Sequence, residues 1–206
     1  MNGGTAPQLR VVEGAAKEVP YFERLAIGQL GMVVLFVSLS AGFLASIAGY
    51  VVVRLNNQGW TRADMPELPS GLFASTIVLL FVSYFFHKSV AAGRDDDQEK
   101  LKLHLSLGTV CVIGFVAAQT WNWIYMATQG LPPDAKSLYA FTFWMLTVLH
   151  ALHVVGGLIP SCLVLRKALL GRYGPLNYRG LSYHAQYWHF LDIVWVIMLI
   201  IMFALT

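Results

Sequence analysis

Long apolar stretches separated by short polar segments dominate the chain. Five of these stretches contain no Asp, Glu, Lys or Arg apart from Asp192 in the last, and each reaches the roughly 20 residues that a membrane-crossing helix needs. They are continuously apolar, whereas strands of a membrane barrel alternate between apolar and polar residues. Lipid cannot satisfy backbone amides, so only helices and closed barrels cross a bilayer. The pattern predicts five transmembrane helices, over residues of about 27–53, 70–92, 102–127, 138–166 and 182–204.

The composition agrees with a membrane protein. Hydrophobic residues make up 57% of the chain and charged residues 12%, whereas soluble domains carry about 25% charged residues. The net charge of +3 does not indicate nucleic-acid binding, because the basic residues lie in loops rather than on one face. Cys111 and Cys162 lie in apolar runs, so they indicate neither a disulfide framework nor a zinc site. We therefore predict an all-α integral membrane bundle of five transmembrane helices with no nucleic-acid partner.

The charged residues predict the orientation of the chain. Residues 1–26 contain no apolar segment typical of a signal peptide, so we expect an N-terminal tail followed by one five-helix domain over residues 27–206. The tail, the second loop and the fourth loop share one side and hold eleven of the fourteen Lys and Arg residues. Loops rich in Lys and Arg remain in the cytoplasm. The N-terminus is therefore predicted to be cytoplasmic and, in a bacterial plasma membrane, the C-terminus periplasmic.

Small residues in the first and fourth spans predict close helix contacts. Ser38, Gly42 and Ser46 are spaced four apart in the first span, and Gly156 and Gly157 are adjacent in the fourth. Small side chains at helical spacing let two helix backbones approach closely. We expect these residues to pack against another helix, either of this chain or of a partner.

A pair of amide side chains lies in the third span. Gln119 and Asn122 are three residues apart, so they share a face of the helix. A buried amide costs free energy unless it has a hydrogen-bond partner. We expect this polar pair to make interhelical hydrogen bonds near the outer surface of the membrane.

The last two spans contain ionisable side chains. His150 and His153 are three apart in the fourth span, and His189 and Asp192, beside Trp188, are three apart in the fifth. Ionisable residues inside a membrane face the bundle and pair with each other, so we expect Asp192 to pair with His150 or His153 across the helices and with His189 along its own helix. Three interpretations of these residues remain open. They form a structural clasp of polar contacts that holds the fourth helix against the fifth, they relay protons or contact a lipid headgroup, or they bind a metal ion or haem.

Residue patterns for catalysis are missing from the sequence. It offers no nucleophile with a neighbouring base, no phosphate-binding loop and no array of metal ligands. We therefore predict no catalytic residue and no metal site in this chain.

The two C-terminal spans each carry a motif with several fixed positions. Residues 150–157 read His-Ala-Leu-His-Val-Val-Gly-Gly, which resembles the His-x-x-His-Val-x-x-Gly signature in the penultimate helix of a known family, subunit III of the haem-copper respiratory oxidases. Residues 187–195 read Tyr-Trp-His-Phe-Leu-Asp-Ile-Val-Trp, which matches every fixed position of the family's last-helix motif. The number of spans resembles the family's five-helix form. Two departures stand where the family has buried glutamates, at Leu39 and at Asn122.

The resemblance implies a non-catalytic subunit of a terminal oxidase that reduces oxygen with electrons from cytochrome c or quinol. It implies that the haems and copper belong to partner subunits and that this chain carries no cofactor. It also implies docking on the catalytic subunit I, with subunit II as a further partner, stabilisation of that subunit, and phospholipid bound between the helices. The alternatives are a subunit III-like protein of a nitric oxide reductase, a stand-alone b-type cytochrome or membrane anchor, and a small transporter that uses Asp192.

Overall fold

A computed structural model describes residues 21–57 and 67–205, with side chains from residue 27 onward. Over these ranges the chain forms five α-helices and no strand. All five are long and apolar enough to cross a membrane, which confirms the predicted fold class and number of helices. The helices are α1 (Tyr21–Asn56), α2 (Gly71–Arg94), α3 (Gln98–Thr128), α4 (Leu138–Leu169) and α5 (Arg179–Leu205).

Each helix extends beyond its predicted span at one end or both. Helix α1 begins at Tyr21 rather than at residue 27, and α3 begins at Gln98 rather than at residue 102. A helix needs only its own backbone hydrogen bonds, so it continues where its side chains leave the hydrocarbon. Residues 1–20 of the predicted tail, and Arg62 of the first loop, lie outside the described residues.

A charged cap fixes the start of α3 in the loop that follows α2. The Asp97 carboxylate accepts a hydrogen bond from the Lys100 backbone amide (3.0 Å) and pairs with the Lys100 ammonium (2.7 Å). The side-chain hydrogen bond with Lys100 lowers the pKa of the Asp97 carboxyl. Such a cap satisfies an amide that the first turn leaves without an intrahelical partner.

Helices α2 to α5 pack as a closed ring. Helix α2 packs against α3 and α5, and α4 packs against the same two helices. Residues from Ser38 onward belong to one compact unit, and the part of α1 up to Val37 belongs to another. Within the unit that begins at Ser38, α1 contributes the buried Phe43 to the core, and Arg54 donates a hydrogen bond to the Leu205 carbonyl at the end of α5.

Aromatic side chains fill the space enclosed by helices α2 to α5. Trp188 and Trp195 of α5 are fully buried. The Trp195 ring stands edge-on to Phe115 of α3 at 5.4 Å between centroids, and the Trp188 ring lies 5.5 Å from Phe86 of α2. Edge-to-face rings gain about 0.5–1.5 kcal/mol beyond the burial of their area. These contacts bring α2 and α3 against the same face of α5.

Two glycines mark where a helix backbone lies directly against a ring. A Cβ added to Gly108 would lie 2.5 Å from the Phe86 ring, and one added to Gly157 would lie 2.6 Å from the Tyr187 ring. Gly42 and Gly156, by contrast, have no side chain or neighbouring backbone within 4 Å of the same position. Gly157 therefore lies against α5 within this chain. The described residues leave Gly42 uncovered, and the packing roles predicted for the small residues stay predictions.

The Gly157 contact predicts that Gly157→Ala separates α4 from α5. The Tyr187 ring cannot move aside easily, because its hydroxyl donates to the His153 carbonyl at 2.8 Å. We expect a loss of about 1–3 kcal/mol in the free energy of unfolding, the usual cost of overpacking, measured by denaturant titration in detergent micelles.

Gly156→Ala is the matched control, because it adds the same methyl group one residue away into open space. We expect it to be neutral or slightly stabilising, since Ala favours a helix over Gly by about 1 kcal/mol. Equal losses in the two variants would contradict the packing role of Gly157.

Candidate functional site

His150 lies in an aromatic cage at the centre of the bundle. Its side chain is fully buried, and its ring lies 4.9 Å from Trp195, 5.9 Å from Phe115 and 6.1 Å from Phe43. Neither ring nitrogen makes a hydrogen bond to a described residue. The His150 ring therefore packs against aromatic side chains of α1, α3 and α5.

His153 lies one turn further along α4 and is half-buried. Its Nδ1 donates to the Leu149 carbonyl of its own helix at 2.7 Å, since a carbonyl can only accept. Its ring lies 4.9 Å from Phe43. The side chain therefore contacts α1, while its backbone carbonyl accepts the Tyr187 hydroxyl and so contacts α5.

His189 and Asp192 lie on the side of α5 that meets α2. The His189 Nδ1 forms a hydrogen bond with the Ser83 hydroxyl of α2, and the His189 ring lies 5.6 Å from the His87 ring. Asp192 is buried, with Ser83 close to its carboxyl, and neither carboxyl oxygen makes a hydrogen bond within the described part of the chain.

The predicted pairing of Asp192 with His150, His153 or His189 is therefore wrong. Spacing of three residues places two side chains on one face of a helix, but it does not determine which neighbouring helix that face meets. Here the face with His189 and Asp192 meets α2, while His150 lies among aromatic rings. A broader structural or lipid-facing role for these residues and Trp188 stays a prediction.

A buried network between α4 and α5 was not predicted. The Trp188 indole donates to His184 Nε2 at 3.1 Å and to the Ser161 hydroxyl at 3.3 Å, and Ser161 lies 2.8 Å from the same His184 nitrogen. The indole nitrogen only donates, so Nε2 is the acceptor and a neutral His184 carries its proton on Nδ1. The spacing of four between His184 and Trp188 is the signal in the sequence that would have identified this network.

The side-chain amides of Asn122 and Gln119 in α3 have different neighbours. The Asn122 amide donates to the Ser75 hydroxyl of α2 at 3.0 Å, which is a hydrogen bond between two helices. Gln119 is 1% exposed, yet neither its Oε1 nor its Nε2 has a hydrogen-bond partner among the described residues. It lines a groove between α3 and α4 instead.

Further indole groups tie the helices together. The Trp123 indole of α3 donates to the Thr147 hydroxyl of α4 at 3.0 Å, and the Trp195 indole of α5 donates to the Thr76 hydroxyl of α2 at 2.9 Å. Among residues 21–57 and 67–205, no group of three or more His, Cys, Asp or Glu side chains is arranged to hold a metal ion. The polar contacts are thus distributed along the helix interfaces rather than gathered at one reactive centre.

The sequence matches one family over most of its length. Residues 30–206 match the family described as cytochrome c oxidase subunit III. The chain belongs to the cytochrome c oxidase subunit III family. This confirms the resemblance found in the last two spans, and it makes the protein an integral membrane component of a haem-copper oxidase, as its non-catalytic subunit III.

Curated relatives from several bacterial groups agree with this assignment. The chain is 32% identical over 177 residues to cytochrome c oxidase subunit 3 of Synechocystis sp., a match that covers 85% of this chain and 74% of the relative. It is 26% identical to the subunit 3 of Thermostichus vulcanus, covering 86% and 87% of the two chains. It is also 26% identical to the subunit 3 of Corynebacterium diphtheriae, covering 88% and 90%. Nothing in these matches favours a nitric oxide reductase protein or a stand-alone cytochrome.

The Asn122–Ser75 contact predicts a measurable coupling between α2 and α3. In a double-mutant cycle of Asn122→Ala and Ser75→Ala, we expect a coupling of about 0.6 kcal/mol and at most about 1.7 kcal/mol, the average and the maximum found for interhelical hydrogen bonds in a membrane protein. The free energy of unfolding in micelles measures it.

Gln119→Ala combined with Ser75→Ala serves as the control cycle. Gln119 makes no hydrogen bond to a described residue, so these two changes should add within about 0.3–0.5 kcal/mol. Additive losses for Asn122 and Ser75 would contradict the interhelical bond.

Proposed function

We propose that this chain docks on the catalytic subunit of a cytochrome c oxidase in a bacterial plasma membrane and prolongs its working life. Membership of the subunit III family gives the complex, and the relatives named as cytochrome c oxidase subunits favour cytochrome c over quinol as the electron donor. In this proposal the haems and copper are held by partner subunits, and electrons do not pass through this chain.

The distribution of the buried polar groups carries the proposal. His150, His184 and His189 each have a different set of neighbours, respectively aromatic rings, Ser161 with Trp188, and Ser83. A centre for haem or proton chemistry needs such groups to converge on one point. Groups that are spread along interfaces instead hold helices in register, which suits a rigid subunit that supports another.

Contacts between loops support the proposed orientation. The Arg94 guanidinium at the end of α2 lies over the Tyr178 ring at 5.3 Å, and Gln98 donates to the Tyr173 carbonyl at 2.8 Å. The loop between α2 and α3 and the loop between α4 and α5 therefore meet at one end of the bundle. These are the two basic loops, so this end is the cytoplasmic side in our proposal.

Apolar side chains on the outside of the helices support a lipid-bound state. Apolar side chains of α2 and α3 that are more than half exposed include Phe73, Leu80, Val110 and Ile124. Such surfaces are stable only against lipid or a partner helix. We propose that phospholipid covers the parts that the oxidase does not.

Deletion of the gene tests the proposed role. We expect membranes of the deletion strain to keep the haem spectrum of the oxidase, while the rate of oxygen consumption decays faster during sustained turnover than in the parent strain. Restoring the tagged chain should restore the slower decay, and the purified complex should contain the large catalytic subunit.

Two outcomes would contradict this role. Complete loss of the haem signal on deletion would show that the chain is needed to build the oxidase itself. A Soret band in the purified chain alone, lost on His150→Ala but kept on the matched surface change Leu163→Ala, would show that it is a cytochrome in its own right.

A further inference from the structure

The groove between α3 and α4 is lined almost wholly by apolar side chains. Its volume is about 250 Å³, larger than the roughly 150 Å³ cavity that accommodates benzene in another protein. Apart from Gln119, its lining consists of Val116, Trp123, Val148, Ala151, Leu152 and Val155. Trp123, bonded to Thr147 and 5.8 Å from the Trp144 ring, holds one end of the groove in place.

The Gln119 amide is the one side-chain amide in the lining of this otherwise apolar groove. It lies nine residues before the end of α3 at Thr128, or about 14 Å along the helix at 1.5 Å per residue, which is inside the hydrocarbon. Its oxygen and its nitrogen are both buried and lack hydrogen-bond partners among the described residues. An unpaired amide in an apolar medium is costly. Both atoms lie just beneath the groove surface with almost no accessible area, so they reach a partner in the groove when the Gln119 side chain turns outward.

Lipid tails cannot supply what this amide needs, because they have no hydrogen-bonding group. A second groove on α2, lined by Ile77, Leu80, Phe81 and Tyr84, is of similar size, about 320 Å³, and none of its lining atoms is buried without a hydrogen-bond partner. An acyl chain suits that second groove. The α3–α4 groove instead suits a protein helix that brings a large apolar side chain together with a polar one.

We infer that the α3–α4 groove around Gln119 binds a transmembrane helix of the oxidase, and that the Gln119 side chain turns outward to form a hydrogen bond with a polar side chain of that helix. The inference rests on the proposed function, because the oxidase supplies the partner. The inference adds two things to that function. It identifies the surface of this chain that binds the oxidase, and it identifies Gln119 as the residue that fixes the position of the partner helix along the groove.

The variant Gln119→Leu separates docking from folding. It removes an unmatched amide and keeps the size of the side chain, so the isolated subunit should unfold at the same or a higher denaturant concentration. The amount of catalytic subunit that co-purifies with it should fall by about three- to tenfold, as the loss of one interhelical hydrogen bond in a membrane implies.

Thr120→Leu is the matched control for this variant. It also replaces a polar side chain by leucine on α3, but Thr120 is exposed and bonds only the Val116 carbonyl of its own helix. We expect unchanged co-purification. Equal co-purification of Gln119→Leu and the unmodified chain would overturn the inference and leave the proposed function standing.

Photo-crosslinking provides a second measurement that does not depend on stability. A photoreactive phenylalanine analogue in place of Leu152, in the α3–α4 groove, should crosslink to an oxidase subunit in intact membranes. The same analogue in place of Leu80, in the α2 groove and similarly exposed, should label lipid.

The outcomes separate the two proposals. Lipid adducts alone at Leu152, or a crosslink to a second copy of this chain, would overturn the docking inference even when the oxidase co-purifies. Absence of any oxidase subunit from preparations of the unmodified chain would overturn the proposed function, and the docking inference would fall with it.

Discussion

A polar side chain inside a bilayer finds a hydrogen-bond partner only within protein, and pairs of such side chains organise the ring of helices α2 to α5. Lipid tails accept and donate nothing, so each buried hydroxyl, indole or imidazole favours the packing that pairs it. Here such pairs join all four adjacent helix pairs of the ring. The bonds are Asn122–Ser75 between α2 and α3, Trp123–Thr147 between α3 and α4, Ser161–Trp188 between α4 and α5, and Thr76–Trp195 between α5 and α2.

The same contacts explain why small residues stand where they do. An indole or phenyl ring reaches a partner on the next helix only if the backbone beneath it leaves room. Gly157 lies under the Tyr187 and Trp188 rings, and Gly108 lies under Phe86. In a membrane, where apolar surface gains nothing from leaving lipid, such close packing supplies much of the attraction between helices.

The sequence alone predicts the five helices because the thickness of the membrane fixes how long and how apolar a crossing helix must be. It predicts the partners of polar residues poorly, because periodicity places a side chain on a face without revealing which helix that face meets. His189 and Asp192 illustrate this, since they share a face as expected but meet Ser83 of α2 rather than α4. Gln119 and Asn122 were expected to act together, yet a small difference in direction sends one to Ser75 and the other to the α3–α4 groove.

The buried polar groups without hydrogen bonds differ in what surrounds them, and this difference decides their meaning. His150 is enclosed by rings of its own chain, with Trp195 at 4.9 Å, so folding alone settles its environment. Gln119 is equally buried but lies directly beneath an open groove, so a rotation of its side chain would let another molecule complete its contacts. In a subunit of a larger complex, a group of the first kind contributes to the fold. A group of the second kind is one that assembly would satisfy, and it indicates where the subunit ends and the complex begins.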